Sequence, residues 1–193
     1  MIRMLIEASV LLGGPIVVIY LLVRLVTKTW KRWWEELATC AMIVYSAFMI
    51  YALWLEPGYV RETLSYNVIP FYTVYSYMNE LAIGFIPFPI IIMNLVGNIV
   101  VTIPIGFWLV FKRKSNKVAL VVAGIVPLLF ELGQLLLHVI GYATRVVDID
   151  DWLLNGLGIL LGYYSLTWLA RFRQQKQKCK GEYEDESPAK EFI

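Results

Sequence analysis

The chain has 193 residues, 59% of them hydrophobic and only 17% charged, with a net charge of +2. A soluble domain is usually about 45–50% apolar and about 25% charged, so this chain lacks the polar residues to cover a water-facing surface. The near-neutral balance gives no footing for nucleic-acid binding, and an integral membrane protein is the class that remains.

The first apolar run, Met4 to Val26, is long enough to cross roughly 30 Å of hydrocarbon at about 1.5 Å per residue. It follows Arg3 as a signal peptide would, but it is too long for that role and no Ala-x-Ala site comes after it, so a retained helix is expected. Glu7 lies near its outer end, within reach of headgroups. Thr27 to Glu36 (TKTWKRWWEE) is the basic, tryptophan-rich turn of a lipid–water boundary. Leu37 to Leu55 forms the second span, which Glu56-Pro57-Gly58 should end.

Tyr59 to Pro89 is neither a clean span nor a plain loop. Phe71, Val74, Tyr75 and Met78 keep helical spacing, and Tyr59, Tyr66, Tyr72 and Tyr77 crowd the same stretch. Both an amphipathic helix in the membrane interface and a partly re-entrant segment fit this pattern. The third span, Pro89 to Phe111, carries Asn94 and Asn98 one turn apart, and Pro104 with Gly106 predicts a kink or a loosened backbone. The fourth, Lys117 to Val139, has Pro127 one turn before Glu131. The fifth, Asp151 to Ala170, contains Gly158-x-x-x-Gly162, which permits close approach of a neighbouring helix. Residues 1–170 thus read as one transmembrane domain. Residues 171–193 read as a charged tail, expected to be disordered around Glu182-Tyr183-Glu184-Asp185-Glu186.

Fourteen of the seventeen lysines and arginines fall in the first loop, the third loop and the tail, leaving Arg3, Arg61 and Arg145 for the other side. The positive-inside rule then puts the N-terminus outside and the C-terminus in the cytoplasm. The expected architecture is an all-α integral membrane protein of about five transmembrane helices plus an outer interfacial or re-entrant helix, multi-pass in the plasma membrane. Cys40 and Cys179 both fall on the cytoplasmic side, where thiols stay reduced, and a single histidine without Cys-x-x-Cys offers little for zinc.

Polar residues inside apolar runs mark where chemistry could sit. Glu131, Gln134 and His138 share one helix face, and Asp148, Asp151 and Asn155 share another, with Arg145 between the two sets. A charged glutamate at the bilayer centre costs about 2.5–3.5 kcal/mol on insertion scales, so something must satisfy it. The predicted orientation gathers Asn94, Asn98, Glu131, Gln134, Arg145, Asp148, Asp151 and Asn155 in the outer leaflet as a candidate ligand-binding set. The bland alternatives are interhelical amide bonding for Asn94 and Asn98, a hinge ion pair for Arg145 with Asp148 or Asp151, and an inert interfacial His138. Asp148, Asp150 and Asp151 form one short acidic run, weak ground for Mg²⁺ or Ca²⁺, and neither a metal nor another cofactor is expected.

Asn67-Val-Ile-Pro-Phe71, Asn94-Leu-Val-Gly-Asn98 with Pro104-Ile-Gly106, Glu131-x-x-Gln134, and Arg145-x-x-Asp148-x-x-Asp151-x-x-x-Asn155-x-x-Gly158 together resemble the VanZ-like membrane protein family. The likeness spans roughly residues 67–164. It is the ordered set, not any single motif, that carries it. The family's namesake is associated with resistance to teicoplanin-type glycopeptide antibiotics in Gram-positive bacteria, so the resemblance implies an envelope-stress or resistance role and no catalytic assignment. The leading functional expectation is a binding module for an amphiphile, either a lipoglycopeptide or a cell-wall lipid intermediate. The alternative is an intramembrane enzyme acting on an envelope lipid, with Glu131 as general base assisted by Asp148 or Asp151. A transporter ranks third, because the chain shows no internal pseudo-symmetry.

Overall fold

The computed structural model describes residues 2–55, 66–142 and 147–185. The expected break at Glu56-Pro57-Gly58, the residues Tyr59, Arg61 and Arg145, and 186–193 lie outside the described residues. The fold is almost entirely helical: α1 (Ile2–Thr27), α2 (Trp33–Ile50) continued by a π-helical turn (Tyr51–Leu55), α3 (Tyr72–Ala82), α4 (Phe88–Phe111), α5 (Asn116–Val139) and α6 (Ile149–Asp185). Two-residue strands β1 (Tyr66–Asn67) and β2 (Val147–Asp148) pair in parallel, Tyr66 opposite Val147 and Asn67 opposite Asp148.

Among the described residues five helices are long and apolar enough to cross a membrane: Ser9–Thr27, Trp33–Leu55, Phe88–Phe111, Asn116–Val139 and Ile149–Gln177. Long aliphatic side chains stay exposed along them, as lipid-facing surfaces require. With 11 residues, α3 reaches only roughly 16 Å, too short to cross the bilayer. It leaves Tyr72, Tyr75 and Met78 exposed, and it is the short extra helix expected between the second and third spans. Helix α6 does not stop near Ala170. Arginine, glutamine and lysine, good helix formers, fill the next turns, and the helix runs on to Asp185. Helix α4 stays continuous through Pro104, and Pro87 with Phe88-Pro89 opens it, where proline's fixed φ suits a first turn.

The chain divides into two compact units, the first made of Met1–Pro70 and Leu128–Ile149, the second of Phe71–Pro127 and Asp150–Ile193. In the first unit α1 and α2 form a hairpin. A Cβ on Gly13 would lie 3.1 Å from the Val44 backbone, so a small residue is what lets the two helices approach. Buried Glu36 ties the hairpin's connection: it accepts hydrogen bonds from the Tyr20 hydroxyl, from Arg24 (Nη2, 3.0 Å) and from the Lys31 backbone N–H (2.8 Å).

The second unit holds a core of Leu109, Ala119, Ala123, Ile159 and Tyr163 from α4, α5 and α6. Helices α4 and α6 run parallel and nearly touch. A Cβ on Gly158 would lie 2.9 Å from the Ile99 carbonyl carbon, one on Gly106 2.9 Å from that of Gly162, and one on Gly162 3.1 Å from that of Ile103. Gly158-x-x-x-Gly162 is therefore the seam along which α4 and α6 pack.

Candidate functional site

Close packing of α4 on α6 sets the geometry of the polar groups in the second unit. The Asn98 amide donates to the Asp151 carboxylate. One turn further along, the Thr102 hydroxyl donates to the Asn155 backbone carbonyl at 2.8 Å. The spacing of four residues on both helices keeps the two contacts in register. Asn98, Thr102 and Asn155 are all buried, so each contact is made where water does not compete.

Helix α3 is fastened to the same region from two sides. Asp150, in the first turn of α6, accepts the Phe71 N–H at 2.5 Å on one oxygen and the Thr73 N–H at 3.0 Å on the other. No side chain of its own caps α3, and Asp150, only 2% exposed, supplies the negative charge that a helix N-terminus favours. Phe71 sits there at φ 64°, a left-handed conformation unusual for a bulky residue, which the two charge-assisted bonds hold in place. On the other side, Asn94 of α4 donates to the Tyr77 hydroxyl at 3.0 Å. Three elements thus meet around Asn94, Asn98, Asp150, Asp151 and Asn155, with the tyrosine face of α3 exposed beside them. Asn94 itself is exposed, unlike Asn98.

The first unit contains the other part of the expected set. Glu131 is 6% exposed, and one of its oxygens accepts the Asp148 backbone N–H at 2.9 Å. The Asp148 side chain accepts from the Asn67 amide at 2.9 Å, alongside the β1–β2 pairing. Gln134, 2% exposed, lies one turn further along α5. Next to it the π-helical turn delivers Trp54, whose indole N–H reaches the Phe130 carbonyl at 3.3 Å and whose ring occupies the space a side chain at Gly133 would need. His138 is half-buried near the end of α5.

Of the residues singled out from sequence, Glu131 and Asp148 come together in the first unit; Asn98, Asp151 and Asn155 come together in the second, with Asn94 bonded to α3. Arg145 lies outside the described residues. Asp148 bonds to Asn67, Asp150 to the start of α3 and Asp151 to Asn98. Among the described residues no group of three or more His, Cys, Asp or Glu is placed to hold a metal ion. The sequence does not single out Thr102 or Trp54; it offers Asn67 only within the family motif, Tyr77 only among the interfacial tyrosines, and Asp150 only as a weak metal ligand. Asn67, which opens the Asn67–Phe71 motif, is the one whose role could have been suspected.

No curated protein and no solved structure matches the chain. Comparison with known families matches residues 16–171 to VanZ/LLP1. The match begins inside α1 and ends within α6, so it covers three of the described membrane-length helices whole and the first and last in part, and it extends beyond residues 67–164, where the motif likeness lies. With membrane-length helices throughout the matched region, the chain is a multi-pass membrane protein, and it belongs to the VanZ/LLP1 family.

Proposed function

We propose that the protein protects the cell envelope by binding an amphiphile, a lipoglycopeptide of the teicoplanin type or a cell-wall lipid intermediate, at the polar cluster of the second unit. One observation supports this reading above others. Hydrogen-bonding side chains of α4 and α6, Asn98 buried among them, adjoin a short helix whose exposed residues Tyr72, Tyr75 and Met78 follow an exposed Phe71. A ligand with a polar head and an apolar chain has the matching division of chemistry: the head exchanges hydrogen bonds with Asn94, Asn98 and Asp151, and the chain lies along the aromatic face. The reading places the protein in the plasma membrane, and the distribution of basic loops supports an orientation with the α3 end outward.

The test is growth of a teicoplanin-sensitive Gram-positive host expressing wild type, Asn98→Ala or Asp151→Asn at equal membrane abundance. Wild type is expected to raise the inhibitory concentration and both variants to lose that effect. Full protection by both variants would remove this cluster from consideration. The enzymatic alternative has a separate test in Glu131→Gln. If extracted envelope lipids have the same mass profile with wild type, with that variant and without the protein, catalysis by Glu131 is out.

A further inference from the structure

Two membrane-length helices end in the same unusual way. Helix α1 closes with Lys28 at φ 51°, its N–H on the Leu25 carbonyl and the Thr29 N–H on the Arg24 carbonyl. Helix α4 closes with Arg113 at φ 53°, bonded to Val110, while Lys114 bonds to Leu109. This is the Schellman cap, in which the left-handed residue is ordinarily glycine. Glycine fills that position at the ends of α3 and α5, as Gly84 and Gly141. A cation is thus accommodated at two helix ends where a residue without a side chain would be free of strain.

The end of α4 carries the consequence further. Lys112, Arg113, Lys114 and Lys117 lie within six positions, no acidic residue interrupts them, and the first turn of α5 has none. Arg113, Lys114 and Lys117 are exposed, and none of the four pairs with a carboxylate among the described residues. By contrast, Arg24 at the end of α1 is taken up by Glu36. The α4–α5 connection is also tied to α6. The Tyr163 hydroxyl, on a residue 4% exposed, donates to the Lys114 carbonyl at 2.8 Å and lies 3.0 Å from the Asn116 side-chain oxygen. The Lys112 ammonium rests 4.2 Å from the centre of the Trp108 ring, which stacks on Phe111. That arrangement puts an aromatic pair at the boundary of the hydrocarbon and the cations just beyond it.

We infer that the α4–α5 connection is a binding site for the headgroup of an anionic phospholipid, with Arg113, Lys114 and Lys117 meeting the phosphate and Trp108–Phe111 seating the site at the interface. A lipid, not a soluble anion, is the occupant the position calls for, because the cations emerge at the end of a 24-residue apolar helix and one of them is stacked on its last aromatic rings. The inference is independent of the ligand proposed for the α3–α4–α6 cluster.

The full-length protein in nanodiscs of equal phosphatidylglycerol and phosphatidylcholine is released into native mass spectrometry, and retained lipids are counted. Wild type is expected to retain phosphatidylglycerol over phosphatidylcholine, with about a fivefold loss of that preference for each charge removed from the site. Arg113→Gly separates binding from folding: it removes the strained conformation, so the protein should melt no lower than wild type and yet show the fivefold loss, while Arg113→Lys keeps the preference. Equal retention of the two lipids by wild type, or an undiminished preference in the quadruple variant Lys112→Gln, Arg113→Gln, Lys114→Gln, Lys117→Gln, would overturn the inference. Displacement of the lipid by inorganic phosphate at equal concentration would overturn the choice of a lipid.

Discussion

Replacing Gly158 by alanine puts a methyl group against the backbone of Ile99, whose carbonyl carbon would lie 2.9 Å away, with its oxygen and the Thr102 hydroxyl nearer still. Ordinary carbon contacts begin at about 3.5 Å, and backbone cannot step aside as a flexible side chain can. The seam between α4 and α6 must open, at an overpacking cost of about 1–3 kcal/mol. Opening it stretches two contacts that bridge the helices, Asn98 to Asp151 and Thr102 to Asn155. Interhelical hydrogen bonds in membranes average about 0.6 kcal/mol and reach about 1.7 kcal/mol. Alanine returns about 1 kcal/mol through its better helix propensity. The net destabilisation is then about 3 kcal/mol, roughly a hundredfold in the unfolding equilibrium. Reversible unfolding in bicelles reads this directly, and Gly97→Ala is the control, since a Cβ there meets nothing within 4 Å. Gly97→Ala should be neutral or slightly stabilising. If both variants unfold alike, or if Gly158→Ala matches wild type, close packing is not what positions the polar groups.

Asp150→Ala should free the start of α3: the Phe71 and Thr73 amides lose an ionised acceptor worth about 2 kcal/mol and exchange hydrogen roughly thirtyfold faster by mass spectrometry. Trp54→Phe, which keeps the ring against Gly133 and drops one long bond to Phe130, should cost only about 0.5–1 kcal/mol, whereas Trp54→Ala should cost about 3 kcal/mol or more in the same unfolding assay. Glu36→Gln should lower the melting temperature of the α1–α2 hairpin, because Arg24 and Tyr20 then face a neutral amide. An Arg24→Gln, Glu36→Gln double variant should recover part of that loss.

The membrane-length helices were legible because one signal, a long apolar run between charged turns, fixes them without reference to tertiary contacts. The glycine pair 158/162 was legible for a similar reason, since spacing alone places both on one face. What escaped the sequence are features created by the packing itself. Nothing local marks Tyr51–Leu55 as a π-helical turn, the turn that carries Trp54 to Phe130 and Gly133. Phe71, Lys28 and Arg113 take left-handed conformations that sequence rules assign to glycine or asparagine. Asp150 was overshadowed by its neighbours, since Asp148 and Asp151 fit the repeating spacing and Asp150 does not; its role is to cap a helix that begins 78 positions earlier in the chain. Asn94 and Asn98 looked equivalent, one turn apart, and only the approach of α6 distinguishes the buried one from the exposed one.

The proposal of a built recognition site in the second unit is tested most directly by equilibrium binding of teicoplanin to the purified protein in nanodiscs, beside the same glycopeptide stripped of its acyl chain. Wild type is expected to prefer the acylated compound, and Asn98→Ala and Asp151→Asn each to weaken its binding at least about tenfold, the loss of one hydrogen-bonding partner. Equal affinity for the two compounds, or variants that bind as wild type does, would contradict it.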